Sequence, residues 1–236
     1  MVDFHSHILP GMDDGADSLR TSLAMLRESA RQSVDILCAT PHFSADEDDV
    51  VSFLGRREEA FAYLRSVMKK AGGEAFPEIR LGAEVRYFPG LSEAKDIRDL
   101  CLEGTPFLLI DPPTAPWSDD MLDEIERCVV TLRCVPVIAH IDRCMRLLHD
   151  ESLIARTKGR RMLIQANGSF FLHRRSRERA LKHLEEGDIH FLGSDCCNLH
   201  DRGPNLGYAA DVIAEAGLAS VLEDLNSKVR RVITET

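Results

Sequence analysis

What the 236-residue chain lacks narrows its class before any motif is read. It has no excess of positive charge: 29 Lys and Arg against 39 Asp and Glu leave a formal net charge of -10. Phosphate backbones are bound by clustered cations, which this composition does not supply in surplus; that argues against a general nucleic-acid binder without excluding local basic patches. No run approaches the ~20 apolar residues needed to span a bilayer. No basic stretch followed by an apolar one precedes the first chemistry-bearing residues at Asp3, and the expectation is a cytoplasmic protein without membrane insertion. The seven cysteines (Cys38, Cys101, Cys128, Cys134, Cys144, Cys196, Cys197) are odd in number and scattered, which argues against a disulfide framework and for reduced, buried small hydrophobes. Internal repeats, low-complexity tracts and linkers are absent too; Gly72–Gly73 and Asp111–Trp117 read only as loops.

What is there is apolar material for one sizeable core, 44% of the residues, consistent with a single domain over 1–236. Short apolar runs at Val2–His5, Asp35–Thr40, Ile79–Val85, Phe107–Ile110, Pro136–His140, Arg161–Asn167 and Ile189–Ser194 read as seven buried strands. Between them Leu19, Leu23, Leu26 and Ala30 share a helical face, as do Phe61, Leu64 and Met68, and Leu122, Ile125, Val129 and Leu132. The alternation is β/α throughout. Parallel strands joined this way close into a barrel or form an open wound sheet, and both put active residues at strand C-terminal ends.

That placement is visible here. His5, Thr40–His42, Glu84, Asp111, His140, Asn167 and Asp195 each sit at or just past the end of an expected strand. Seven ends converging on ligand-type side chains favour a barrel with one rim site. In Asp3-Phe4-His5-Ser6-His7 the two imidazoles alternate onto one face of an extended strand and can grip one ion. Pro10-Gly11 followed by Asp13-Asp14-Gly15 makes a loop able to turn a carboxylate back towards them, and Asp17 or Ser18 suits the cap of the following helix. Mixed imidazole and carboxylate sets suit Mn, Fe or Zn rather than Ca or Mg.

These residues resemble a known family. DFHSHILPGMDDGA (3–16), TPH (40–42), GAEVR (82–86), the LLID strand end at Asp111, AHIDR (139–143), QAN (165–167) and SDCCN (194–198) are similar, in order and over nearly the whole chain, to bacterial tyrosine phosphatases of the capsule and exopolysaccharide type. Those belong to the PHP (polymerase and histidinol phosphatase) superfamily. The resemblance implies a distorted (β/α)7 TIM-like barrel and two or three divalent metal ions (Mn, Fe or Zn). One would lie on His5, His7, Glu84 and Asp195, a second on Glu84, Asp111 and His140, and a third on Asp14, His42 and Cys197. Arg143 and Arg202 would bind phosphate, the fork of a guanidinium suiting its oxygens. The implied substrate is a phosphotyrosine-bearing protein, a membrane-associated bacterial tyrosine kinase of polysaccharide export.

The chain departs from the family pattern in three places. Cys197 replaces the histidine of a DxH motif, and its softer sulfur favours Zn or leaves the third site empty. Asp111 and Asp142 stand where relatives tend to carry Glu. Three rival readings follow. Cys196 and Arg202 satisfy C-x5-R, the pattern of cysteine-dependent tyrosine phosphatases, but the intervening CNLHD has no glycine with which to cradle a phosphate. The metals could instead serve a small phosphate ester, or the chain could be a non-catalytic descendant that binds a partner. In phosphotyrosine cleavage the tyrosine leaves as a phenol of pKa ~10, which lowers the demand for a general acid, and none is assigned.

Overall fold

A computed structural model describes residues 1–71 and 75–235; the expected Gly72–Gly73 loop lies outside them. The first strand, β1 (Val2–Ser6), leads into helix α1 (Leu19–Arg31). Ser18 caps α1, its Oγ accepting from Thr21 N at 3.2 Å. The buried stripe of α1 is Ser22, Met25, Leu26 and Ser29, so the face is rotated from the expected one, with Leu19, Leu23 and Ala30 half-buried at its margins. Strands β2 (Ile36–Ala39) and β3 (His42–Phe43) precede α2 (Val50–Lys70), and β4 (Glu78–Leu81) and β5 (Glu84–Arg86) follow it. Two 3-10 turns (Leu91–Glu93 and Lys95–Leu100) lead to β6 (Phe107–Asp111), α3 (Asp119–Thr131), β7 (Val135–Ile138), α4 (Ile141–Leu148) and α5 (Leu153–Thr157). The rest is β8 (Leu163–Asn167), α6 (Gly168–Leu172), α7 (Arg177–Glu185), β9 (Phe191–Gly193), α8 (Leu206–Glu215) and α9 (Ala219–Thr234).

Every strand pairing is parallel. β1-β2-β4 form one sheet and β3-β5-β6-β7-β8-β9 another. The expected strand Ile79–Val85 is divided at Gly82-Ala83 into β4 and β5, and a short strand not expected from sequence, β3, follows Asp35–Thr40 after Pro41, which has no N–H to give the ladder. Pairing nevertheless continues across the breaks: Gly82 N donates to Ala39 O at 2.9 Å and Glu84 N to Pro41 O at 3.0 Å. The buried Arg57 of α2 donates to Gly82 O at 2.9 Å. At the other edge Asp195 N donates to His5 O (2.8 Å) and His7 N to Cys196 O (2.9 Å). The parallel sheet therefore curls until its last strand stands beside its first.

Apolar residues pack in two bodies. The larger includes Met25, Leu26, Phe53, Leu122 and Ile125 of the helices with the strand residues facing them. The smaller lines the concave side, where Phe4 stacks on Phe191 (3.9 Å between ring centroids) and meets Phe107 edge-on, with Val229 and Ile233 of α9 beneath. Six of the seven cysteines are buried, and the half-buried Cys101 has its Sγ 3.3 Å from that of Cys134. No helix among the described residues is long and apolar enough to cross a membrane.

Candidate metal centre

The site is assembled where the strands end. In β1, Asp3 pairs with Leu37 and Ser6 with Ala39, so β1 carries one residue more than β2 between those pairs. This bulge lets two consecutive residues face the same side. Phe4 lies against Phe191 while His5 lies against Gly193, two residues further along β9, and there a Cβ would stand 2.6 Å from His5 Cβ. The strand thus changes from apolar packing to polar chemistry within one step. His140 and Asp195 close β7 and β9 in left-handed conformations, φ 33° and 52°, backbone states that L-residues hold only when the surroundings enforce them.

Glu84 is fully buried and four imidazoles converge on it. His140 Nε2 lies 2.7 Å from Oε1; His5 Nε2, His42 Nδ1 and His7 Nε2 lie 3.1, 3.1 and 3.3 Å from Oε2. His5 Nε2 and His7 Nε2 are 3.1 Å apart. Burial pushes the Glu84 carboxyl up, but His5, His140 and His7 outweigh it and hold the group well below the usual range. His7 is raised despite its burial because Asp13 and Glu84 favour its cation. Asp111, 3.4 Å from His140 Nε2, is raised by burial and by the charge of Glu84.

The far nitrogens of two rings are held from outside. His5 Nδ1 meets Gln165 Oε1 at 3.1 Å, and the same oxygen accepts from His140 N at 2.7 Å. His7 Nδ1 meets Asp13 Oδ2 at 2.7 Å, and that oxygen also accepts from His42 N at 2.9 Å. One nitrogen fixed by an outer acceptor and the other aimed at a shared carboxylate is how metal-binding histidines are oriented. The donors fall into groups whose ligand atoms lie within 4.8 Å of one another: His5, His7 and Glu84; His42, Glu84 and Asp111; His7, Asp13, Asp14 and His42; and His7, Asp195 and Cys197. These residues fit divalent metal ions of the imidazole- and carboxylate-binding kind.

Of the residues expected from sequence, His5, His7, Glu84, His140 and Asp195 meet in the buried centre, with His42 and Asp111 at its edge. Asp14 sits at the rim, its side chain 67% exposed and Oδ1 3.5 Å from His42 Nε2. Cys197 groups with His7 and Asp195 rather than with Asp14 and His42. Arg143 and Arg202 both turn onto Asp195, Arg202 at 2.5 Å, and Asn167 Nδ2 donates to the same carboxylate at 3.0 Å. They line a cleft of about 360 Å³ beside the centre. Asp13 and Gln165 escaped the sequence reading as site residues. Each lies inside a motif it did single out, but the signal there was the neighbouring Asp14 and Asn167.

The C-x5-R reading fails on geometry. A nucleophilic cysteine needs exposure and a depressed pKa, whereas Cys196 is fully buried in the larger apolar body and burial drives its thiol up.

The described fold and site have known counterparts. The chain is 30% identical over 230 residues to the tyrosine-protein phosphatase CpsB of Streptococcus agalactiae, covering 90% of this chain and 89% of that protein. It is 30% identical over 215 residues to the tyrosine-protein phosphatase YwqE of Bacillus subtilis, covering 86% and 79%. In fold it superposes with a TM-score of 0.85 at 23% identity, over 99% of this chain and 94% of the other, on a chain from the crystal structures of YwqE from Bacillus subtilis and CpsB from Streptococcus pneumoniae, described there as unique metal-dependent tyrosine phosphatases. A histidinol phosphatase candidate, hisK from Listeria monocytogenes, shares the fold more distantly, with a TM-score of 0.52 at 12% identity over 85% and 97% of the two chains. The model of the family described as capsular polysaccharide synthesis, CpsB/CapC, matches residues 1–228, and with relatives at this identity over nine-tenths of its length the chain belongs to that family.

Proposed function

We propose that this protein is a metal-dependent phosphatase that hydrolyses phosphotyrosine in a protein substrate. The observation that carries the reading is the convergence of four imidazoles on the buried Glu84 beside two arginines that share Asp195. His5, His7, Glu84 and Asp195 would hold one ion, Glu84, Asp111 and His140 a second, and Asp14 and His42 a third, which Cys197 would join only by moving from its place beside His7 and Asp195, with Mn, Fe or Zn as the metals. Such ions, when bound, bring the pKa of a coordinated water near neutrality and offset charge developing on a phosphoryl group. Gln165 and Asp13 keep the His5 and His7 rings directed inward. Arg143 and Arg202 swing between Asp195 and the non-bridging oxygens of the phosphate, a bidentate partner for which the guanidinium fork is suited.

The broken strand pairs β2–β3 and β4–β5 act as single barrel positions in this reading, and with the contact of β1 and β9 they support a distorted (β/α)7 barrel in one domain over 1–236. The names of the relatives and of the family support action on phosphotyrosine in capsular polysaccharide synthesis; a cytoplasmic setting and a membrane-associated tyrosine kinase as the substrate extend that reading. The test is a substrate ranking. With Mn2+ present, kcat/KM for a phosphotyrosine peptide should exceed that for histidinol phosphate at least roughly tenfold, because only the peptide offers a phenolic leaving group. The opposite ranking would move the protein to small phosphate esters.

A further inference from the structure

The chain carries a net charge of -10, yet residues 174–179 (RRSRER) hold four arginines and one glutamate. They follow directly on His173, which lines the same cleft as Arg143, Arg146, Asp195 and Arg202. Arg174 and Arg175 form the exposed turn between α6 and α7, and Arg146 stands exposed on α4. Two neighbours in the run are committed: Arg177 donates to the carbonyls of Phe171 and Leu172, and Arg179 pairs with Glu151. Arg146, Arg174 and Arg175 have no carboxylate partner among the described residues. Asp201 is the exposed acid in the cleft lining. A locally cationic surface on an acidic molecule, continuous with the cleft that holds the two site arginines, is an arrangement that selects its ligand by charge.

We infer that Arg146, His173, Arg174 and Arg175 form a docking surface for acidic residues flanking the phosphotyrosine of the substrate. The inference rests on the proposed phosphatase reading, with the phosphoryl group at Arg143 and Arg202 and the flanking chain running out of the cleft over the α6–α7 turn. Continuity with that cleft is what favours a peptide over an anionic membrane, since a peptide anchored by its phosphate must pass one mouth of the cleft or the other.

The experiment compares two fluorescein-labelled phosphotyrosine peptides, one with three glutamates on each side and one with glutamines in their place, by fluorescence anisotropy and by hydrolysis, with p-nitrophenyl phosphate as a substrate lacking flanks. The wild-type protein should bind the acidic peptide about tenfold more tightly than the neutral one at low salt, with the preference shrinking as salt is raised. R174E/R175E, which alters exposed residues without partners, should abolish the preference while leaving p-nitrophenyl phosphate turnover within about twofold. Equal binding of the two peptides by the wild-type protein, or a preference retained in R174E/R175E, overturns the proposal. So does charge-dependent binding to phosphatidylglycerol vesicles without discrimination between the peptides, which would assign the surface to a membrane. Absence of all turnover with the acidic preference intact would instead remove the phosphatase reading and leave the docking surface standing.

Discussion

Gly193 is where a single missing atom admits the chemistry. A Cβ there would lie 2.6 Å from His5 Cβ and 2.8 Å from Gln165 Nε2, closer than such atoms approach without movement, and the two side chains it would displace are the imidazole and the amide that orients it. Gly193→Ala should therefore lower kcat by about a hundredfold, the scale expected for a displacement near 1 Å at reacting groups, while costing roughly 1–3 kcal/mol of stability as local overpacking. Kinetics alongside thermal unfolding check this; unchanged kcat would show that the His5 ring tolerates the shift. Much of the site was legible at this scale, because metal chemistry restricts residue types and the motifs come in order. What escaped were the residues that act through another. Asp13 and Asp14 are indistinguishable in a DDG loop, and only the fold shows that Asp13 reaches His7 while Asp14 faces the rim. Arg143 and Arg202 read as phosphate binders, and their shared grip on Asp195 depends on a left-handed turn that no pattern announces.

The secondary elements were legible to the extent that period and capping determine them. The strands were found where apolar runs end in polar residues, but the break at Gly82 divides one run and the short β3 beyond Pro41 was not read, giving nine strands among the described residues where about seven runs were read. The bulge at Phe4-His5 leaves no mark in composition, since alternation alone sends consecutive side chains to opposite faces. The starts of α1, α2 and α3 follow local capping rules, at Ser18, Asp49 and Ser118. Ser118 caps α3, its Oγ accepting from Met121 N at 3.1 Å, with Asp119 and Asp120 in the first turn to favour the helix dipole. Ser118→Ala should cost about 1 kcal/mol in urea unfolding without altering kcat/KM, because α3 packs on the outside of the sheet. A loss of activity at unchanged stability would mean that the neighbouring loop between β6 and α3 depends on the cap.

For the whole molecule, the organising fact is a polar, titratable centre in a curled sheet whose other buried surface is mostly apolar. Asp3 marks the boundary. It is buried, its Oδ1 accepts from Ser194 N (2.8 Å) and His5 N (3.2 Å), and its Oδ2 has no partner. Burial lifts its pKa to about 6. A carboxyl raised on folding contributes stability that is complete below its unfolded pKa near 4 and is lost as pH rises through about 6. Asp3→Asn removes that dependence, so the variant should gain stability relative to wild type between pH 5 and pH 7.5 in urea titrations of the metal-free protein. A difference that stays constant over this range would mean that Asp3 does not titrate there.

In the proposed function the imidazoles and carboxylates around Glu84 work as a multinuclear metal centre in phosphotyrosine hydrolysis. The measurement that tests it most directly is the rate of phosphotyrosine-peptide hydrolysis by chelator-stripped protein as Mn2+ is returned, with bound metal counted by elemental analysis at each step. Activity should be absent in the stripped protein and should rise through more than one bound ion per chain. Undiminished hydrolysis by protein shown to contain no metal would contradict the account.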